Sequence, residues 1–268
     1  MRFEELLVEV DGFGKFQILI FFLLCLPRII IPWHFLLHNF ISAVPPHHCA
    51  LPNLISFANL TQDKILLVSI PRGDDGTFSS CEMFSEPQFH LLVNSSQELV
   101  NGSSIQSCHQ GWVYNHSQFI STTFQWDLVC EKRSLNQTIA TFFFIGVTIG
   151  AVIFGYLSDR FGRRKMLLLS FVVMVIFGAL SAFAESYFMF VVTRTLCGVG
   201  LTGMSIISLT LGVEWTDVKH RTFCGTISGI SWTLGYMILA LVAYLIRDWR
   251  WLLMAVTYPG LLIIIIWW

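Results

Sequence analysis

Arg28 stands about a dozen residues into an apolar run that begins near Phe16, directly after Pro27 and four residues before Pro32. A guanidinium placed so deep among apolar residues needs an anion, a carboxylate or a water-filled space beside it, and its planar fork suits bidentate contact with a carboxylate. The two prolines loosen the helical hydrogen-bond ladder around it and expose carbonyls. His34, His38 and Asn39 follow, with 34 and 38 one turn apart on a shared face. Arg28, His34 and Asn39 are thus candidates for holding an anionic ligand. The competing reading is a structural pair or a snorkelling side chain for Arg28, and ordinary interfacial hydrogen bonding for His38 and Asn39. Trp232 and Tyr236, four residues apart, share a helix face and could line the same ligand site, although aromatic stripes more often pack.

A second group of residues carries charge in a fixed order. Gly155-Tyr-Leu-Ser-Asp159-Arg160-Phe-Gly162-Arg163-Arg164-Lys165 sets a small residue, an acid, a turn glycine and a basic cluster at the end of an apolar run. Gly155 permits close helix approach, Asp159 can face an arginine or a helix amino terminus, and Gly162 turns the chain. Arg194, Gly198 and Gly200 form a further string, Arg-Thr-Leu-Cys-Gly-Val-Gly, inside another apolar run, while Met204, Ser205 and Ser208 offer only packing positions. Among enzymatic patterns, a phosphate loop, a His-Glu-x-x-His string and a metal-spaced cysteine pair are all missing, so neither an enzyme nor a cofactor is expected. His47-His48 beside Cys49 could bind a metal only if that thiol were reduced, so no metal is expected.

The elements that must position these residues are membrane spans. The 268-residue chain is 54% hydrophobic and 12% charged with a mean hydropathy of +0.67, whereas soluble domains carry about 25% charged residues. A formal net charge of −1 gives no reason to expect a nucleic-acid partner. Six runs are long enough to cross a bilayer: Phe16 to Val44, Ser134 to Ser158, Met166 to Ala184, Tyr187 to Val213, Thr222 to Ile246 and Trp249 to Trp268. The second, third and fifth contain no Asp, Glu, Lys or Arg. The spacing predicts an all-α polytopic membrane protein with a cytoplasmic stretch over 1–15, a first helix over 16–44, an extracellular loop over 45–133 and helices two to six over 134–268. The inside position of the amino terminus follows from the short basic link at Arg160, Arg163, Arg164 and Lys165. Glu4, Glu5, Glu9 and Asp11 replace the basic start of a cleaved signal peptide, so the first span reads as a retained anchor.

The loop over 45–133 has the marks of an oxidising compartment. Acceptor triplets for glycosylation begin at Asn59, Asn94, Asn101 and Asn115, and a fifth at Asn136 lies too near the second span to be used. Cys49, Cys81, Cys108 and Cys130 fall in the same loop, whereas Cys25, Cys197 and Cys224 fall in or beside spans. Four thiols there read as two disulfides with three possible connectivities. Pro45-Pro46, Asp75-Gly76 and Asn94-Ser-Ser predict turns and short strands.

The Gly155–Lys165 string resembles the signature loop between helices two and three of the major facilitator superfamily. Arg194-x-x-x-Gly198-x-Gly200 resembles the fourth-helix pattern of the same superfamily. Glu214-Trp-Thr with Arg221-Thr, Cys108-His-Gln-Gly-Trp-Val-Tyr114, Phe124-Gln-Trp-Asp-Leu-Val-Cys130 and Asp248-Trp-Arg250 are similar to organic-ion transporters. Pro45-Pro-His-His-Cys49 and Phe3-Glu-Glu-Leu-Leu point to the organic-anion branch.

The resemblance implies a six-helix amino-terminal half of a facilitator fold and transport of organic anions by uniport or exchange at the plasma membrane. It also implies disulfides Cys49–Cys108 and Cys81–Cys130, and a gating role for Gly155, Asp159, Arg160, Gly162, Arg163 and Arg164. Asn39 matches a polar position of the anion branch, while Arg28 departs from the apolar residue usual there. Ile-Ile-Ile-Ile-Trp267-Trp268 is still span-like, so the resemblance covers one half of a two-half fold. The alternative is a non-transporting membrane glycoprotein that associates with full-length transporters or with itself.

Overall fold

The computed structural model describes residues 14–51, 60–73, 76–92, 104–114 and 120–267. Its helices and strands are, in chain order, α1 (Lys15–Ile41), β1 (His47–Cys49), α2 (Gln62–Ser69), β2 (Glu82–Phe84), β3 (Ile105–Ser107), β4 (Trp112–Tyr114), α3 (Thr122–Gln125), α4 (Arg133–Phe161), α5 (Arg163–Ala182), α6 (Tyr187–Glu214), α7 (Arg221–Leu245) and α8 (Trp249–Trp267). The chain divides into two compact units, residues 1–42 with 135–268, and residues 43–134.

The first unit is a helical bundle. Helices α1, α4, α5, α6 and α7 are long and apolar enough to cross a membrane, and α8 is a mostly apolar helix of 19 residues. Helix α1 packs on α6, α7 and α8, and α5 packs on α6 and α8. The buried interior is formed by residues such as Ile31, Leu37, Phe171, Met174, Leu201 and Leu253, all at 0% exposure. Outward faces are apolar instead of polar: Val152, Phe188 and Tyr244 are all more than 70% exposed. A water-soluble bundle reverses that pattern, and hydrocarbon is the solvent that suits it.

Small residues decide how closely the helices approach. At Gly198 an added methyl would lie 2.7 Å from the Phe143 carbonyl oxygen of α4, and at Gly200 2.7 Å from the Met174 amide of α5. Helix α6 therefore meets a neighbour at backbone distance on two sides. At Gly155 an added Cβ would meet no other atom within 4 Å among the described residues. Gly162, with φ +92°, makes the turn between α4 and α5, a conformation that costs glycine little.

Helix α1 ends at Ile41, short of the expected Val44. The Ser42 amide and hydroxyl both return to the His38 carbonyl, which closes the helix ahead of Pro45-Pro46.

The second unit consists of short pieces. Strands β1 and β4 pair antiparallel with His47 opposite Tyr114, and β2 and β3 pair antiparallel with Glu82 opposite Ser107. Disulfides Cys49–Cys108 and Cys81–Cys130 close the unit, the pairs that the resemblance implies. Ser121 caps α3 by accepting from the Phe124 amide at 3.3 Å.

Candidate functional site

Arg28 and Phe35 are seven residues apart on α1, two helical turns, and so look out over one face. The Arg28 guanidinium lies 5.8 Å from the Trp232 ring centroid on α7. From Trp232 the rings continue as a ladder: Tyr236 at 6.0 Å, Phe35 at 5.9 Å, and beyond Phe35 the α4 residues Phe143 at 5.9 Å and Phe144 at 6.2 Å. Trp232 and Tyr236 are half-buried, with ring surface left for another body. The α1–α7 contact beneath them is fixed by a 2.8 Å hydrogen bond from Trp33 Nε1 to the Gly235 carbonyl. Phe35, Phe143 and Phe144 escape a reading that looks only for ionisable and paired aromatic residues. The seven-residue spacing from Arg28 to Phe35 is the signal that could have found the first of them.

Two of the expected ligand residues do not join Arg28. His34 is fully buried, with its ring 3.8 Å from Cys197 Sγ at Nδ1 and its carbonyl accepting from Arg194 Nη2 at 3.2 Å. Asn39 lies two to three turns further along α1 and is exposed. Arg194 is 2% exposed and places its guanidinium 4.9 Å from the Phe143 centroid, on the bundle side of the ladder. Cation–π contact of this desolvated kind contributes on the order of 2 kcal/mol. Arg194, Gly198 and Gly200 thus belong to the packing of α6 against α1, α4 and α5. Among the described residues neither Arg28 nor Arg194 forms an ion pair.

At the other end of α4 the charged string is gathered around Arg163. Its guanidinium lies 3.2 Å from Asp159, 2.8 Å from Glu214 of α6 and donates to Thr210 Oγ1 at 2.7 Å. One arginine thus ties the start of α5 to the ends of α4 and α6. Glu214 and Thr210 are additions to the motif. Arg160 donates to the Tyr156 hydroxyl at 3.4 Å, and Arg164 is exposed.

In the second unit Tyr114 donates to Asp127 at 2.9 Å and packs edge-on to Phe124 at 5.0 Å. Burial, and then the bond to Asp127, push the Tyr114 phenol above its ordinary pKa. His48 is pushed below its ordinary value by burial and by the neighbouring His47. The His47 ring comes within 4.8 Å of the Cys81 and Cys130 sulfurs, but these two are joined to each other and offer no thiolate. The expected glycan acceptors Asn59, Asn94, Asn101 and Asn115 lie outside the described residues.

Comparison with known proteins fixes the lineage of this arrangement. The pattern of the Major Facilitator Superfamily matches residues 117–268. The chain belongs to the major facilitator superfamily. Within this superfamily it is similar to solute carrier family 22 member 7 of Homo sapiens, at 52% identity over 97% of this chain and 49% of the relative. The Rattus norvegicus protein of the same name is 51% identical over 100% of this chain and 51% of the relative. Solute carrier family 22 member 6 of Danio rerio is 43% identical over 97% and 47%. The chain spans about half the length of the curated relatives it matches. In fold it is similar to the inward-open xylose transporter XylE from E. coli, with a TM-score of 0.56 at 16% identity over 94% of this chain and 47% of that one. Apolar helices and facilitator relatives together make this a multi-pass membrane protein.

Proposed function

We propose that this chain is the substrate-facing amino-terminal half of a plasma-membrane transporter for amphipathic organic anions, working by uniport or exchange. The carrying observation is the placement of Arg28 against an aromatic ladder. Trp232, Tyr236 and Phe35 supply flat apolar surface for the body of such a molecule. Arg28 supplies an uncompensated positive charge for its carboxylate, in bidentate geometry. Likeness to solute carrier family 22 members supports the class, and the resemblance to organic-anion transporters supports the sign of charge. Asn39, two to three turns further along α1, and His34, buried behind the ladder, stand outside this contact surface.

In this reading the amino terminus and the α4–α5 turn are cytoplasmic, because the turn carries Arg160, Arg163, Arg164 and Lys165. Residues 43–134 are extracellular and glycosylated. Gly155, Asp159, Arg160, Gly162, Arg163 and Arg164 form a cytoplasmic latch, and the open space at Gly155 is room for a helix of the other half.

Radiotracer uptake in cells tests the reading, comparing the chain alone with the chain joined to the second half of human solute carrier family 22 member 7. Saturable organic-anion uptake by the joined protein, falling at least tenfold with Trp232→Ala, is the expected result. Normal surface delivery with no uptake in either form sinks it. That outcome would favour a non-transporting glycoprotein that associates with full-length carriers or with itself, a reading suggested by the half-length match.

A further inference from the structure

The two disulfides of the second unit stand side by side: Cys130 Sγ lies 3.7 Å and Cys108 Sγ 3.9 Å from the same Ser80 carbonyl oxygen. They differ in access. Cys81 and Cys130 are both half-buried and line a half-open cleft of about 830 Å³, whereas Cys49, the partner of Cys108, is 0% exposed within β1. They differ also in their surroundings. One ring nitrogen of His47 lies within 4.8 Å of the Cys81 and Cys130 sulfurs. That ring is held in place, since its Nδ1 donates to the Pro45 carbonyl at 2.9 Å and it meets the Tyr114 ring at 5.7 Å across the β1–β4 pair.

We propose that Cys81–Cys130 is a thiol-exchange site for small aliphatic thiols, with Cys130 the sulfur attacked, Cys81 the leaving thiolate and His47 its proton donor. An incoming thiolate forms a bond to Cys130 Sγ while the Cys81–Cys130 bond breaks, and the electron pair of that bond departs on Cys81 Sγ. His47 passes a proton to the departing sulfur and recovers one from the solvent, which received it when the incoming thiol ionised. The products are a mixed disulfide at Cys130 and a thiol at Cys81, so thiol and disulfide supply every atom and electron. The Ser80 carbonyl turns its negative end toward Cys130 and disfavours a thiolate there, which sends the charge to Cys81. The other pair lacks this route. Attack on Cys108 would expel Cys49 as a buried thiolate, and attack on Cys49 itself is closed by its burial.

Exchange at this pair does not involve the Arg28 face, so its failure is separable from failure of the transport reading. The purified full chain is incubated with reduced glutathione, quenched at intervals with iodoacetamide and mapped by peptide mass spectrometry. Glutathione on Cys130, an alkylated Cys81 and an intact Cys49–Cys108 bond are the expected products. In His47→Gln the opening of Cys81–Cys130 should slow about tenfold, because the departing thiolate loses its proton donor. A variant that merely loosened the unit would speed the opening of both disulfides, so slowing confined to one of them marks a part in the reaction. The mapping is read on the wild-type chain and decides the site even where His47→Gln folds poorly. A chain that keeps both disulfides, a Cys49–Cys108 bond that opens as fast, glutathione found on Cys81, or a folded His47→Gln that is not slowed overturns the proposal.

Discussion

Arg28 carries its charge at a position where α1 is already weakened, because Pro32 has no amide to offer the Arg28 carbonyl four residues earlier. If the guanidinium is the carboxylate contact, geometry as well as charge should matter. In the joined protein Arg28→Lys should weaken organic-anion affinity about tenfold, since a point charge replaces a fork, and Arg28→Leu should weaken it further. Equal affinities at equal surface abundance would make Arg28 structural. A second residue gives a pH signature. His48, whose pKa is lowered by burial and then by His47, favours the neutral ring in the folded β1–β4 pair. Its contribution to stability is complete above the ordinary value of 6.5 and is lost as pH falls through the lowered one. The opening free energy of β1–β4, measured by hydrogen exchange, should therefore fall between pH 7 and pH 5, and His48→Gln should flatten that dependence.

At the scale of elements, α6 is the helix least tolerant of bulk. Gly200→Val should destabilise the bundle by about 1–3 kcal/mol, because the Cβ arrives 2.7 Å from the Met174 amide and backbone must move. Gly155→Ala should leave the unfolding temperature of the chain nearly unchanged, since among the described residues nothing lies within 4 Å of the added methyl. A like fall for both would mean that α5 and α6 are not packed at backbone distance. The contrast also explains what the sequence could and could not reveal. Helices α4, α5 and α7 were legible because their runs lack charge, and the site of the α4–α5 turn was legible because Gly162 precedes three basic residues. His34 and Arg28 look alike in sequence, as polar residues deep in one apolar run. Which of them faces the bundle depends on where α6 places Cys197 and Arg194, more than 150 residues away. The Arg163–Glu214 pair was hidden for the same reason: nothing local to Glu214 announces that α6 ends beside the start of α5.

For the whole molecule the decisive quantity is which side of the membrane each unit occupies. Expressed in cells, the chain should run faster on a gel after glycosidase treatment, and replacing Asn59, Asn94, Asn101 and Asn115 together by Gln should abolish the shift. A cysteine reporter at Arg164 should label only after the membrane is permeabilised. An unshifted chain whose 43–134 unit is reached only from the cytoplasm would invert the topology and remove the reading of Arg163 as part of an inner latch.

The bond from Trp33 to the Gly235 carbonyl joins residues 202 apart in the chain. Ribosomes deliver α1 first, and at 5–20 residues per second the start of α7 follows roughly 10–40 s later. Through that interval α1 sits in the membrane with Arg28 lacking the Trp232 face, a state that holds an intramembrane charge in the open. Nascent chains stalled before Arg221 should therefore cross-link through Arg28-neighbouring positions to insertion chaperones, and those stalled after Leu245 should not. Codons that slow synthesis between α4 and α6 would lengthen this exposure and lower the yield of folded protein without altering one amino acid.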